Sequence, residues 1–508
     1  MMRRQLLSVI YAVLVLVWGC VADAGQDVPV VGLMTPNSPL VTVRVMVETG
    51  SVDDPVGKNG LNALTALMIG RGGTESLSYE ELTTTLYPWA ASIGVQHDKE
   101  VTTIVGEVHR DHLERFYVIL RDLIVTPGFD SEDFQRNRDF LTNAIVSTLR
   151  GNDDEELGKQ ALNALLYDGH PYEATEMGTE LGLASILLED VRAFHAQHYT
   201  RDNIRVGVGG GYPDGFLTRV EDDLVGALPL GTEMWGNREL PAPRALDGLE
   251  LLLVEKDAIA TAISLGFPLS VTRADDDFYP LMVANSYFGE HRTFNGRLMN
   301  QMRGLRGLNY GDYSYIESFI QDGGTTFPLP NTPRRQQFFS IWVRPVPHHN
   351  AAFALRQAVL ELRRLVESGL TPEDFEATRE YLINYSKLYV QTTSRRLGYA
   401  LDSSFYGTEF FIDEILIRLS TLTVADVNAS IRRHLQADNL AIAIVTRDAE
   451  AFRDELTSGE PSSVTYNTEV REEILAEDEA IKVYPLAINT DRIRIVAADE
   501  MFQDLEWP

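Results

Sequence analysis

The chain has 508 residues, 44% hydrophobic and 23% charged, and a net charge of −30. That length allows two to four domains. So large an acidic surplus argues against nucleic acid and anionic membrane surfaces as partners; it gives a well-solvated surface and favours cationic peptides among ligands. The single cysteine, Cys20, leaves the mature chain without a disulfide, a thiolate metal site or a cysteine nucleophile.

At the N-terminus, MMRRQLLSVIYAVLVLVWGCVADAGQ sets Arg3 and Arg4 before an apolar run from Leu6 to Trp18, with small residues after it. This is the layout of a secretory signal, residues 1–24, cleaved after Ala24. The alternative is a bacterial lipobox in VWGC, with a lipid on Cys20. The run is too short for a comfortable membrane span. The expectation is an exported protein, periplasmic in a bacterium, either soluble or lipid-anchored.

Downstream, LVTVRVMVETG alternates β-branched and other residues as a strand does, and NGLNALTALMIGRGGTESLSYEEL reads as helix, glycine-rich stop and second helix. The strand TTIVGEVH and the amphipathic helix HLERFYVILRDLI follow. DVRAFHAQHYTRDN then leads into the strand IRVGVGG. After PLGTEMWGNRELPAPRALDGLE, a Pro- and Gly-rich linker, the order recurs with ATAISLGFPLS, QQFFSIWVRPV and FALRQAVLELRRLVESG. DVNASIRRHLQADN, followed by LAIAIVT, aligns without a gap on the earlier DVRAFHAQHYTRDN, at an offset of 236 residues. Glu132-Asp133-Phe134 likewise faces Glu373-Asp374-Phe375, at an offset of 241.

The chain is therefore expected to be a tandem duplication. Its fold class is α+β: two homologous units, each a mainly antiparallel sheet with helices packed on one face, plus a C-terminal tail. The boundaries are 27–231 for the first unit, 232–250 for the linker, 251–450 for the second unit and 451–508 for a tail that belongs to neither repeat.

The doubled unit, HPYEATEMGTEL (His170 to Leu181) and HYTRDNIRVGVGG together resemble the M16 peptidases, the pitrilysin, insulinase and mitochondrial-processing-peptidase group. The resemblance spans about Val28 to Asp448. In active members the first helix carries H-x-x-E-H: two histidines one turn apart hold zinc, and the glutamate takes a proton from zinc-bound water. Laid on that pattern, the histidine positions fall on Ala63 and Leu67 and the base on Ala66. The third-ligand position falls on Asn143 or Ala144. Alanine and leucine offer no lone pair, so the resemblance implies a degenerate zinc site and no metal or other cofactor bound by this chain. What remains is a core helix with Leu61, Leu64, Leu67 and Met68 as its apolar stripe. His195 and His198 read as a structural pair, Glu290-His291 lacks a second histidine four residues away, and His348-His349 reads as an exposed loop pair.

The family's Arg-Tyr motif, by contrast, is present. Met302-Arg303-Gly304-Leu305-Arg306-Gly307-Leu308-Asn309-Tyr310 keeps an arginine and a tyrosine seven residues apart. The resemblance implies that Tyr310 donates a hydrogen bond to the scissile peptide oxygen and that Arg303 holds substrate carbonyls. The plainer reading makes Tyr310 the start of a packed aromatic strand and Arg303 and Arg306 surface charges on a helix. By analogy with two-chain members, the expected partner is a subunit with an intact H-x-x-E-H and its zinc, and the expected substrates are unfolded peptides. A peptide-binding or assembly scaffold without proteolytic role is the alternative.

Overall fold

The computed structural model describes residues 30–231, 238–321 and 326–505; the signal segment with Cys20 lies outside them. The first sheet has five strands. Its order is β1 (Val30–Met34), β5 (Ile204–Gly210), β2 (Leu40–Val47), β4 (Thr102–His109) and β3 (Ser92–His97). The β1–β5 pair is parallel and the other pairs are antiparallel. The second sheet runs β11 (Ile488–Ala497), β6 (Leu249–Glu255), β10 (Leu440–Thr446), β7 (Thr261–Leu269), β9 (Gln337–Val346) and β8 (Asp312–Tyr315). There β6 is parallel to both β10 and β11.

Alternation along each strand decides what each face meets. In the first sheet Val41, Val43, Val45 and Val47 share a core with Phe116 and Leu120 of the helix Leu113–Val125. In the second, Leu251 and Leu253 join the helix Ala351–Ser368. The opposite faces are also covered, each by a helix of the other unit. The helix Asp154–Leu166 lies on β7 and β10, so that Leu157, Ala161 and Leu165 share a core with Leu252, Val254 and Ala443. Reciprocally, the helix Thr393–Tyr406 lies on β5 and β2, and its Leu401 and Phe405 pack on Met46. This closeness explains two glycines of IRVGVGG: a Cβ at Gly207 would come within 2.7 Å of Leu397 Cδ1, and one at Gly209 within 2.7 Å of Thr393 Cγ2.

The tail is part of this architecture. Its strand β11 extends the second sheet, and its helix Glu472–Lys482 packs on the helix Ala351–Ser368. Arg306, a surface charge on the plainer reading, is buried, with its guanidinium on Asp478 at 2.8 Å and Glu477 at 2.7 Å of the tail. Beyond β11 the chain crosses to the first unit. Met501 and Phe502 are buried in the core that contains Leu61 and Leu162, and the carbonyls of Phe502 and Gln503 accept from Glu180 N at 3.0 Å and Leu181 N at 2.9 Å. The tail thus completes one sheet and fastens both units.

Candidate functional site

The segment on which the resemblance lays the H-x-x-E-H pattern forms the helix Leu61–Gly70. Its N-terminus is set by Asp54, whose two oxygens accept from the amides of Gly60 and Asn62, each at 2.7 Å. Every residue from Leu61 to Ile69 is buried, so the helix is enclosed on all sides rather than along one apolar stripe. Ala63 and Leu67 lie in a core with Leu141, Ile145 and Ala161, and Ala66 is fully buried. A histidine at Ala63 would overfill that core, at a cost of about 1–3 kcal/mol. Of the two third-ligand positions, Asn143 ends the helix Ser131–Asn143 and is exposed. Ala144 is half-buried and lines the cavity between the units. These residues do not fit a zinc ion, and among the described residues no three His, Cys, Asp or Glu side chains stand close enough to hold a metal.

That interunit chamber has a volume of about 340 Å³, and its walls include His97, Glu176, Lys159, Arg334, Phe338 and Trp342. A buried ionic clasp closes one side of it. Arg334 of the second unit donates to Asp98 of the first at 2.9 and 2.5 Å and to Glu176 at 3.0 Å. Lys99, fully buried, pairs with Glu176 at 3.2 Å. The next arginine repeats the connection: Arg335 N donates to Glu100 at 2.6 Å, and its guanidinium pairs with Glu100 and with Glu48, the latter at 3.5 Å. Burial would raise the Glu176 carboxyl, but Lys99 and Arg334 hold it down to about 2. Burial also keeps the Lys99 ammonium and the His97 imidazole below their ordinary values. Apart from Glu176, which lies in HPYEATEMGTEL, none of these residues stood out in the sequence. The available signals were the charged run Asp98-Lys99-Glu100 between two apolar strands and the pair Arg334-Arg335.

Arg303 and Tyr310 are brought together. Arg303 closes the turn Met299–Gly304, and Gly307, with φ +62°, returns the chain so that Leu308 is buried and Tyr310 is 70% exposed. Tyr310 precedes β8 rather than opening it. The Arg303 guanidinium lies 5.0 Å from the Tyr310 ring centroid and 5.2 Å from that of Phe294, and Arg344 stands 5.4 Å from the Tyr310 ring. Arg344 in turn bonds Glu155 at 2.9 Å, and Glu155 pairs with Lys159 at 3.0 Å, which lies on Trp342 in the chamber wall. The stack is therefore tied to the chamber by one ion-pair chain. Its tyrosine hydroxyl makes no hydrogen bond to another described residue.

Beneath the stack, Asp312 is fully buried; Oδ1 accepts from Asn309 at 2.7 Å, while Oδ2 has no hydrogen-bond partner. Burial raises this carboxyl to about 8, with Asn309 and Arg344 pulling the other way. A carboxyl raised above its unfolded value holds its proton longer in the fold. Between about pH 4 and 8 the folded chain thus binds more protons than the unfolded one, and stability falls as pH rises. The neutral variant Asp312→Asn is expected to raise the thermal midpoint more at pH 8.5 than at pH 6.5. A gain that stays constant or shrinks with pH would contradict this.

Of the histidine pairs singled out in the sequence, His195 and His198 are structural. His195 bonds Ile124 O at 2.8 Å and stacks on Tyr199, and His198 packs on Phe194. His348, expected to be exposed, is half-buried and bonds the Thr261 hydroxyl at 2.8 Å and Ala258 O at 3.1 Å; its neighbour His349 is exposed.

This doubled fold agrees with the comparisons. The family description "Insulinase (Peptidase family M16)" matches residues 30–180, and "Peptidase M16 inactive domain" matches residues 185–382. The chain belongs to the M16 peptidase family. Among curated relatives, the "uncharacterized zinc protease YmxG" of Bacillus subtilis is 22% identical, over 82% of this chain and 96% of its own. The "non-peptidase homolog YmxG" of Helicobacter pylori is also 22% identical, over 78% of this chain and 86% of its own. Among solved structures, the peptidase M16 inactive domain from Pseudomonas fluorescens superposes with a TM-score of 0.71 at 20% identity, covering 82% of this chain and 94% of that one. A protease from Helicobacter pylori superposes with a TM-score of 0.69 at 15% identity, covering 82% and 96%. At these identities the structural likeness concerns the fold.

Proposed function

We propose that this chain is the metal-free subunit of an exported two-chain M16 zinc peptidase. A partner with an intact H-x-x-E-H helix holds the zinc and its water, and this chain completes the peptide chamber. The observation that carries the reading is the exposed Tyr310, held by Arg303 and Arg344 with its hydroxyl unengaged. A phenol kept at the surface between two guanidiniums contributes little to the core, yet it is a good donor toward an oxygen gaining negative charge. In this reading Tyr310 donates to the scissile peptide oxygen and Arg303 to backbone carbonyls of the substrate. The buried clasp of Arg334 and Arg335 keeps the chamber walls in register. Ala63, Ala66, Leu67 and Ala144 take no part in the chemistry.

The test is reconstitution. The purified mature chain, the H-x-x-E-H subunit from the same genome and their mixture are compared on a fluorogenic peptide. The mixture is expected to cleave it at least about 100-fold faster than either chain alone, the scale of one oxyanion donor. Equal rates for the zinc subunit alone and the mixture would favour the second reading, a peptide-binding or assembly scaffold. The description of the Helicobacter relative as a non-peptidase homolog speaks for that second reading.

A further inference from the structure

The second unit contains a smaller cavity, about 60 Å³, between the helix Phe278–Gly289 and the start of the helix Phe411–Thr421. Glu290 and His291 line it together with the rings of Phe278, Tyr315, Phe319 and Tyr389. Glu290 accepts from the Ser286 hydroxyl at 2.5 Å and from Tyr389 at 3.5 Å, and no lysine or arginine among the described residues pairs with it. His291 is 2% exposed. Its Nδ1 lies 2.6 Å from the Tyr315 hydroxyl, and its Nε2 is buried with no hydrogen-bond partner. When Nδ1 donates to Tyr315, Nε2 is left with a free lone pair.

A buried carboxyl without a cation, an imidazole nitrogen without a partner and aromatic walls are complementary to one ligand class, a compact organic cation. The volume, about that of two waters, admits an ammonium head with one or two carbons. Phe319 lines both this cavity and the chamber between the units, so the two adjoin at its ring. We propose that the cavity is a receptor for a primary ammonium group, with Glu290 as its counter-ion, His291 Nε2 as a second acceptor and Phe319 as the wall shared with the chamber. The ammonium comes from a free small amine or from a lysine side chain of a peptide in the chamber. The second source rests on the peptide-chamber reading; the first does not.

The site is proton-linked. Burial raises the Glu290 carboxyl to about 7, partly offset by Ser286 and Tyr389. The groups facing it are His291, which burial lowers to about 4, and Tyr381, Tyr385 and Tyr389, all raised by burial. Across the cavity Glu317 is paired with Arg273 at 2.9 Å. Of Glu290, His291 and the three tyrosines, only Glu290 changes charge between pH 6 and 8. Its proton must leave before a cation binds, so affinity weakens about tenfold per pH unit below 7.

Isothermal titration of the mature chain with methylammonium chloride at pH 8 and pH 6 tests the proposal. Saturable one-to-one binding at pH 8, weaker by about tenfold at pH 6 and by tenfold or more in Glu290→Gln, is the expected result. Should Glu290→Gln fail to fold, Phe319→Leu removes one aromatic wall and is expected to weaken binding severalfold. No saturable heat at pH 8, as for a cavity holding water only, or equal binding by Glu290→Gln, overturns it. A second titration uses N-acetyl-lysine amide against N-acetyl-norleucine amide. Preference for lysine assigns the ammonium to a peptide; binding of methylammonium alone assigns it to a free amine.

Discussion

Replacing Tyr310 by Phe is expected to lower turnover of the reconstituted two-chain enzyme roughly 100- to 1000-fold, the measured scale for removing one oxyanion donor. The substitution isolates the hydroxyl. The ring keeps its place beside Arg303 and Arg344, and the position is too exposed for the lost oxygen to unsettle the core. Assembly, followed by size-exclusion chromatography, and KM are both expected to change little. A loss confined to kcat marks an interaction made in the transition state. If Tyr310→Phe leaves kcat within a factor of two, the hydroxyl has no catalytic part and the scaffold reading gains the weight.

The second large effect is on stability. Arg334→Met removes a guanidinium that neutralises the buried Asp98 and the half-buried Glu176 of the other unit, leaving Asp98 without that partner and Glu176 with Lys99 alone. Breaking a buried ion pair from one side costs about 3–5 kcal/mol, because the abandoned charge stays buried. Urea denaturation of Arg334→Met is expected to show a loss of that size. The double variant Asp98→Leu/Arg334→Met should recover part of it, since it also removes a stranded charge. A single-variant loss under about 1 kcal/mol would mean that water reaches the clasp and that the chamber wall is looser than its geometry indicates.

Much of the fold was legible because period and repetition are local signals. The strand LVTVRVMVETG became β2, the helix FALRQAVLELRRLVESG became Ala351–Ser368, and the duplicated Asp-Val…Asp-Asn segments became matching helix and strand pairs. Periodicity reports that a face is buried, but not against what. The near-continuous apolar run of β6 signals burial on both faces, yet nothing in it shows that the second face meets a helix of the first unit. The tail was unreadable for a related reason. β11 carries weak alternation, and its register on β6 joins residues some 240 positions apart.

The candidate site divides the same way. Arg303 and Tyr310 could be found because their spacing is a motif, whereas Arg344, which completes the stack, comes from a strand 34 residues on from Tyr310 and leaves no trace near them. The plainer reading, with Arg306 as a surface charge, fails because the acidic tail helix covers that residue, which nothing in its own neighbourhood signals. The clasp joins residues separated by 236 positions, and its members read singly as ordinary surface charges.

If this chain works beside a zinc-bearing subunit, the two should travel together in the cell. Affinity purification of the tagged mature chain from its own cells, with mass spectrometry of what accompanies it, tests that most directly. A near-stoichiometric companion carrying an intact H-x-x-E-H helix is the expected result. Recovery of the chain alone, or only with copies of itself, would contradict it.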